Sequence, residues 1–361
     1  MDHRPTEVRD FVADYFGKLT TPCLFIGGAG FDPRSAAVLE LLKDSVGQLD
    51  GILIKEERPN PDEILVDKAA ASLRAMAVGM NEPKVLRTEI FASDGAVIGG
   101  RSLLAQLEMQ GLSSYRDIVV DLSAMSIGIS FPLVKYLLLR SAQDWKANLH
   151  LFASSCPELD STIRSQPGDR ASVVHGFRRI NESYGAGDCA RLWLPQLAVG
   201  REQVLRRIFD EVKPHDTCPI VPFPSSDPKM GDRLTASFRA ELEGAWSVDT
   251  RSLIYAHEED PLDLYRTILR IDDTRKPAFE EFGGSMLVLS PLGSRMLSIG
   301  ALMAALDRDL PVYYVEARGY EVDWAAVDNI AVANPAIRHV WLCGDAYPIE
   351  EASRINWTGT S

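Results

Sequence analysis

Cys23-Leu24-Phe25-Ile26-Gly27-Gly28-Ala29-Gly30-Phe31-Asp32-Pro33-Arg34 decides the fold class. Four apolar residues make a strand, a glycine-rich turn follows, and Asp32-Pro33 supplies an N-cap with proline at the first helical position. A helix is expected from Arg34 to Leu42. Strand, glycine turn and helix N-terminus in that order open a βαβ unit.

The same grammar extends in both directions. Gly51-Ile52-Leu53-Ile54, Asp117-Ile118-Val119-Val120-Asp121 and Asn148 to Ala153 read as further strands. Helices are expected over 61–80, with Asn60 as N-cap, and over 131–141. After Leu194 the pattern restarts. Strands are predicted at Gln196 to Val199, Cys218 to Pro224, Ser252 to Ala256, Ser285 to Leu289, Pro311 to Val315 and His339 to Cys343. Helices are predicted over 202–212, 261–269 and 295–306. Runs apolar on both faces belong to sheets covered on both sides. The expected architecture is α/β: two Rossmann-like halves with mainly parallel sheets, residues 1–190 and 191–361, joined near 185–200. Asp121-Leu122-Ser123-Ala124-Met125 and Ser290-Pro291-Leu292-Gly293-Ser294, each leading into a helix, hint that the halves are related.

Composition narrows the function. Of 361 residues, 46% are hydrophobic and 25% charged, which excludes a disordered chain. Lys and Arg number 38 against 51 Asp and Glu, a formal charge of −13. That balance argues against non-specific nucleic-acid binding, which needs a basic footprint. Five separated cysteines without CxxC spacing read as reduced thiols of a cytoplasmic protein. The longest apolar run is far short of the roughly 20 residues a membrane helix needs, so no membrane association is expected. The histidines lack HxxxH spacing, so no metal site is expected, and no cofactor can be named.

Ligands of open parallel sheets bind beyond the carboxyl ends of the strands. Arg34 and Arg295 stand in first helical turns, where the dipole disfavours a cation. A phosphate would meet backbone N–H donors and guanidinium together, so both arginines are candidate phosphate ligands. An internal carboxylate such as Glu56, Asp121 or Glu316 is the structural alternative. Gly28, Gly30 and Gly293 permit close backbone approach, and Ser294 adjoins Arg295. Glu56 or Asp121 would orient a sugar or base. The Pro-rich loop 222–233 adds Lys229 and Arg233. These residues point to a nucleotide-type small molecule.

Two other readings stand beside this one. Glu258, Asp260, Asp227 and Asp232 would supply acid, base or metal ligand in a nucleotide hydrolase. The same acids also suit helix capping. A ligand-free scaffold would show a strand-end crevice filled by its own side chains and an exposed apolar patch for a protein partner. GxxxxGK[ST], GxSxG and HExxH are absent, so whether the chain is an enzyme stays open.

Ser290, Gly293, Ser294 and Arg295, followed by an apolar helix and Val312-Tyr313-Tyr314-Val315-Glu316, resemble the ligand loop of CARF-type Rossmann sensors. In that family a strand ends in a Thr/Gly-rich turn with a basic residue, and the returning strand often ends in Tyr-Val-Asp. This chain has one glycine where that family often has two, and Arg295 in place of lysine. The resemblance spans about 27 residues. It implies binding of a cyclic or linear oligonucleotide signal in prokaryotic antiviral defence. Tandem halves would resemble the SAVED arrangement, and the chain would be a sensor or accessory subunit.

Overall fold

Cys23–Gly28 and Asp117–Asp121 are buried at every position, as strands covered on both faces must be. The computed structural model describes residues 1–180, 189–330 and 336–347. It is an α/β protein with two units, Met1–Arg164 together with Gly319–Ser361, and Ser165–Arg318. The division differs from two consecutive halves meeting at residue 190, because the C-terminal segment returns to the first unit. Residues 185–188 of the expected joint lie outside the described residues.

The first unit runs β1 (Asp2–His3), α1 (Pro5–Tyr15), β2 (Cys23–Gly28), α2 (Ala37–Lys43), β3 (Leu49–Glu57) and α3 (Glu63–Val78). It continues with β4 (Pro83–Glu89), α4 (Gly99–Leu107), β5 (Asp117–Asp121), α5 (Ile127–Arg140), β6 (Asn148–Ser155) and α6 (Pro157–Thr162). The chain leaves this unit within β7 (Ile163–Pro167).

The second unit holds β8 (Ser172–Val173), β9 (Ala190–Pro195), α7 (Glu202–Val212), β10 (Asp216–Thr217), β11 (Ile220–Pro222) and α8 (Met230–Ser237). Then come β12 (Ile254–Ala256), α9 (Pro261–Phe279), β13 (Ser285–Ser290), α10 (Arg295–Arg308) and β14 (Tyr313–Tyr314). The chain returns within β15 (Ala317–Val322) and ends its described course with α11 (Trp324–Val327) and β16 (Ala336–Cys343).

In the first unit the sheet order is β1-β16-β6-β5-β2-β3-β4. Strands β2 to β6 are parallel, while β16 and β1 add antiparallel edges. Counting from β2, the parallel core has the Rossmann order 3-2-1-4-5. The second unit repeats it. Strands β10, β9 and β13 are neighbours, β11 pairs β12, and single bridges Gln196↔Ile220 and Leu289↔Val312 extend the array on either side. β5 and β13 are thus equivalent fourth strands, which accounts for the echo between 121–125 and 290–294.

Each unit has its own apolar cluster. Phe16, Phe25, Leu39, Leu42 and Phe152 anchor the first, while Trp193, Leu205, Ile208, Phe238 and Trp246 anchor the second. Fully burying one such side chain contributes about 1.5–3 kcal/mol.

Several elements differ from the sequence reading. The helix expected from Arg34 begins as a 3-10 turn over Pro33–Ala36 and becomes α-helical at Ala37. Asn60 has φ 50° and caps nothing; Asp62 caps α3 by accepting the Ile64 amide at 2.8 Å. The strand expected at 196–199 lies earlier, at β9. His339 to Cys343 does form a strand, but in the first unit's sheet. β4 and α4 were not anticipated: β4 is an edge strand whose exposed Lys84, Arg87 and Glu89 mask its pattern.

Candidate functional site

Each unit has a topological switch point beside its first strand, where ligands of such sheets bind. In the first unit it lies between β2 and β5. A Cβ on Gly28 would stand 2.9 Å from Met125 Cγ and 3.1 Å from the Ala124 carbonyl, so the loop after β5 already occupies this approach. Gly30 faces open space within 4 Å. Asp121, 1% exposed, accepts the Ser123 amide at 2.9 Å and its hydroxyl at 2.5 Å. Ser123 Oγ in turn accepts the Ser154 amide at 2.8 Å. Asp121 therefore locks a loop.

Arg34 is 3% exposed and saturated from within. Asp32 accepts from its Nε at 3.0 Å and from a terminal nitrogen at 2.7 Å, and Asp160 accepts from the other at 2.7 Å. Neither carboxylate is one the sequence nominated. Burial alone would depress the guanidinium's pKa, but the two carboxylates raise it above its ordinary value. Asp32 also accepts the Arg34 amide at 2.9 Å. The dipole conflict that made Arg34 a phosphate candidate is thus relieved by the chain itself, and the argument for its phosphate role falls.

Glu56 closes the same crevice. Its Oε1 accepts the Ser126 amide at the head of α5 at 2.8 Å, and its Oε2 pairs with Arg58 at 2.8 Å. The Arg58 guanidinium lies 5.1 Å from the Tyr320 ring centre, and Tyr320 packs 5.2 Å from Phe31 of the glycine loop. Glu56 thus supplies the anion at this helix N-terminus and is not displayed for a sugar.

In the second unit the switch point lies between β9 and β13. Gln196 Oε1 accepts the Gly293 amide at 3.0 Å, and its Nε2 donates to the Leu297 carbonyl at 2.9 Å. A Cβ on Gly293 would fall 2.8 Å from Gln196 Oε1 and 3.2 Å from Gln196 Cβ, so a larger residue there would press on this side chain. Ser294 caps α10 by accepting the Leu297 amide at 3.3 Å. Its hydroxyl also donates to the Glu258 carbonyl at 2.9 Å. Arg295 follows, half-buried and engaged within the protein.

Glu258, 6% exposed, ties three strand-end loops together. Its carboxylate accepts the Ser226 amide at 2.8 Å and hydroxyl at 3.0 Å, while its carbonyl holds Ser294. The loops after β11, β12 and β13 therefore form one connected rim. Lys229 and Arg233 stand exposed on it. Asp227 pairs with the Arg233 guanidinium and accepts the Lys229 amide at 2.9 Å.

Sequence reasoning missed the aromatic part of this rim. Phe223 and Tyr255 are 58% and 56% exposed, with ring centres 6.0 Å apart and edge to face. Both end up at the carboxyl side of neighbouring parallel strands, because Val221 registers with Tyr255. The available signal was Pro222-Phe223-Pro224, where flanking prolines hold an aromatic in an extended loop.

The acids proposed for hydrolysis are largely engaged in structure. Asp260 caps α9 through the Leu262 amide at 3.1 Å, Glu258 holds Ser226, and Asp227 holds Lys229 and Arg233. Among the described residues no group of three His, Cys, Asp or Glu could hold a metal ion. No helix among them is long and apolar enough to cross a membrane.

No family model matches the chain. No curated protein matches it. Among solved structures it is similar to a protein assigned as a universal stress protein from Pseudomonas aeruginosa, with 10% identity and a TM-score of 0.23. That match covers 82% of this chain and 93% of the other. A universal stress protein from Archaeoglobus fulgidus gives 12% identity and a TM-score of 0.23 over 81% and 96% of the respective chains. Likeness at that level carries no functional argument.

Proposed function

We propose that this chain binds a nucleotide-type ligand on the strand-end rim of its second unit, as a sensor or accessory subunit. The observation that carries the reading is one rim bearing both kinds of contact a nucleotide uses. Phe223 and Tyr255 offer aromatic surface for a base. Lys229 stands on the same loop as Phe223, Arg233 lies in the first turns of α8 that follows it, and Arg295 opens α10 beside Ser294 for phosphate. The resemblance of Ser290 to Glu316 to CARF-type sensors supports an oligonucleotide signal and a place in antiviral defence. Calorimetric titration with mononucleotides and with linear and cyclic oligonucleotides tests this. Binding by the wild type that is lost in Phe223→Ala and Arg295→Ala supports it; absence of heat with every member ends it.

A second reading has an observation of its own. The first unit's crevice is closed by Glu56, Asp121 and Met125, and α3 leaves Ile64, Val66 and Val78 exposed. That combination favours a surface for a protein partner on this unit. Light scattering on wild type and Val78→Asp tests the case of self-association: equal masses would remove it.

A further inference from the structure

Helix α3 is apolar on two opposite faces. Leu73, Met76 and Ala77 turn inward and pack against the first unit's core. Ile64, Ala71, Ala75 and Val78 recur at i, i+7, i+11 and i+14, which places them within about 60° of arc on the other side. All four are exposed, Ile64 at 53% and Val78 at 87%. A surface helix ordinarily buries one apolar face and gives the other to charged groups.

The few charges that border this outer face are arranged on its flanks. Lys68 lies on one flank and is occupied, its ammonium 4.7 Å from the Trp324 ring centre. Asp67 and Arg74 lie on the other flank. Both are exposed, and among the described residues neither makes an ion pair. Two turns apart, about 10 Å along the axis, they do not reach each other.

On the reading that this unit presents a surface to a protein, we propose that the partner is a second copy of this chain, docked through antiparallel α3 helices. The two-fold axis passes level with Ala70 and Ala71. A two-fold normal to the plane of two antiparallel helices returns each flank to its own side. Asp67 of each copy then stands level with Arg74 of the other, and two reciprocal pairs form. Ile64 comes within one residue's rise of Val78 of the second copy. Ala71, nearest the axis on the outer face, admits a short distance between the helices. Lys68 comes level with Leu73 of the second copy, so no like charges meet. A parallel pair would instead set Asp67 level with Asp67 and Arg74 level with Arg74.

Burial of Ile64 and Val78 from both copies drives the association, while the flanking pairs fix its direction more than its strength. The helix is about 24 Å long and 10 Å wide. That is well short of the roughly 800 Å² per partner of a standard interface, so the dimer is a weak one.

Sedimentation equilibrium of the full chain from about 5 to 500 µM tests the pairing. Urea midpoints confirm that each variant is folded. The average mass of the wild type is expected to rise toward twice the monomer value. Val78→Asp, at an exposed site, is expected to weaken association about tenfold or more. Asp67→Arg and Arg74→Asp each set like charges level twice, and each is expected to weaken it about fivefold. The double variant restores both pairs in reverse and should return to within about twofold of the wild type. A wild type that stays monomeric throughout overturns the second copy as partner, while leaving α3 open to a different protein. A dimer unaffected by Val78→Asp overturns both this pairing and α3 as a docking surface. A double variant no better than the single ones overturns the antiparallel arrangement.

Discussion

The Glu56 carboxylate accepts the Ser126 amide across seventy residues of chain at 2.8 Å, so an anion of the protein itself meets the first turn of α5. Replacing Glu56 by Ala removes a charged acceptor from the Ser126 amide and a carboxylate from Arg58. We expect a loss of about 2 kcal/mol in urea unfolding. Sulfate should restore part of it in the variant by entering the vacated place, beyond any effect on the wild type. Equal sulfate effects on both proteins would contradict an anion-accepting helix end there.

Gly28 and Gly30 belong to one loop and should respond oppositely to alanine. At position 28 the new methyl meets Met125 and Ala124, and a cost of about 1–3 kcal/mol is expected. At position 30 it meets nothing within 4 Å, so stability should hold or rise by about 0.4–1 kcal/mol. Paired urea curves settle the contrast.

Arg34→Met separates the two phosphate candidates. Asp32 loses its bidentate partner in a largely buried place, and about 3–5 kcal/mol of stability should go with it. Nucleotide affinity of the folded protein should not change, because the proposed rim belongs to the other unit. A calorimetric loss without destabilisation would return Arg34 to the binding site.

Acid should weaken the fold in two stages. His150 and His339 have lowered pKa values, so the unfolded chain binds more protons below about 6.5 and stability falls as pH drops through that region. The slope is about 1.4 kcal/mol per pH unit for each ring. Burial would raise the Asp117 carboxyl, but hydrogen bonds from His150, Tyr15 and Asn148 together hold it below its ordinary value. Its contribution is present above the unfolded carboxyl pKa of 3.8 and is lost as pH falls through the lower folded value. Urea midpoints from pH 8 to 3 should show both declines, with the first reduced in His339→Phe.

Strand identity was legible wherever burial is two-sided. Asp117–Asp121 and α7 emerged at the predicted bounds, since apolar runs and a clean amphipathic period are local properties. The Asp-Pro caps at Asp32 and Asp260 were legible for the same reason, and each accepts a nearby amide, whereas Asp227 accepts the Lys229 amide ahead of α8 without capping it. Partnership over distance was not. Asp160 lies 126 positions from the arginine it neutralises, and no local pattern marks it. His3, His150 and His339 look scattered until antiparallel pairing brings them into line. Phe223 and Tyr255 meet only through the register of two short strands.

The return of β16 to the first sheet dictates an order of assembly on the ribosome. Residues 165–318 form an uninterrupted block and can complete their own sheet as soon as they emerge. The opening segment cannot: β6 waits for a neighbour encoded at 336–343. Until residues 336–343 emerge, the first unit keeps a bare flank, and a nonsense codon between positions 319 and 335 would leave it that way.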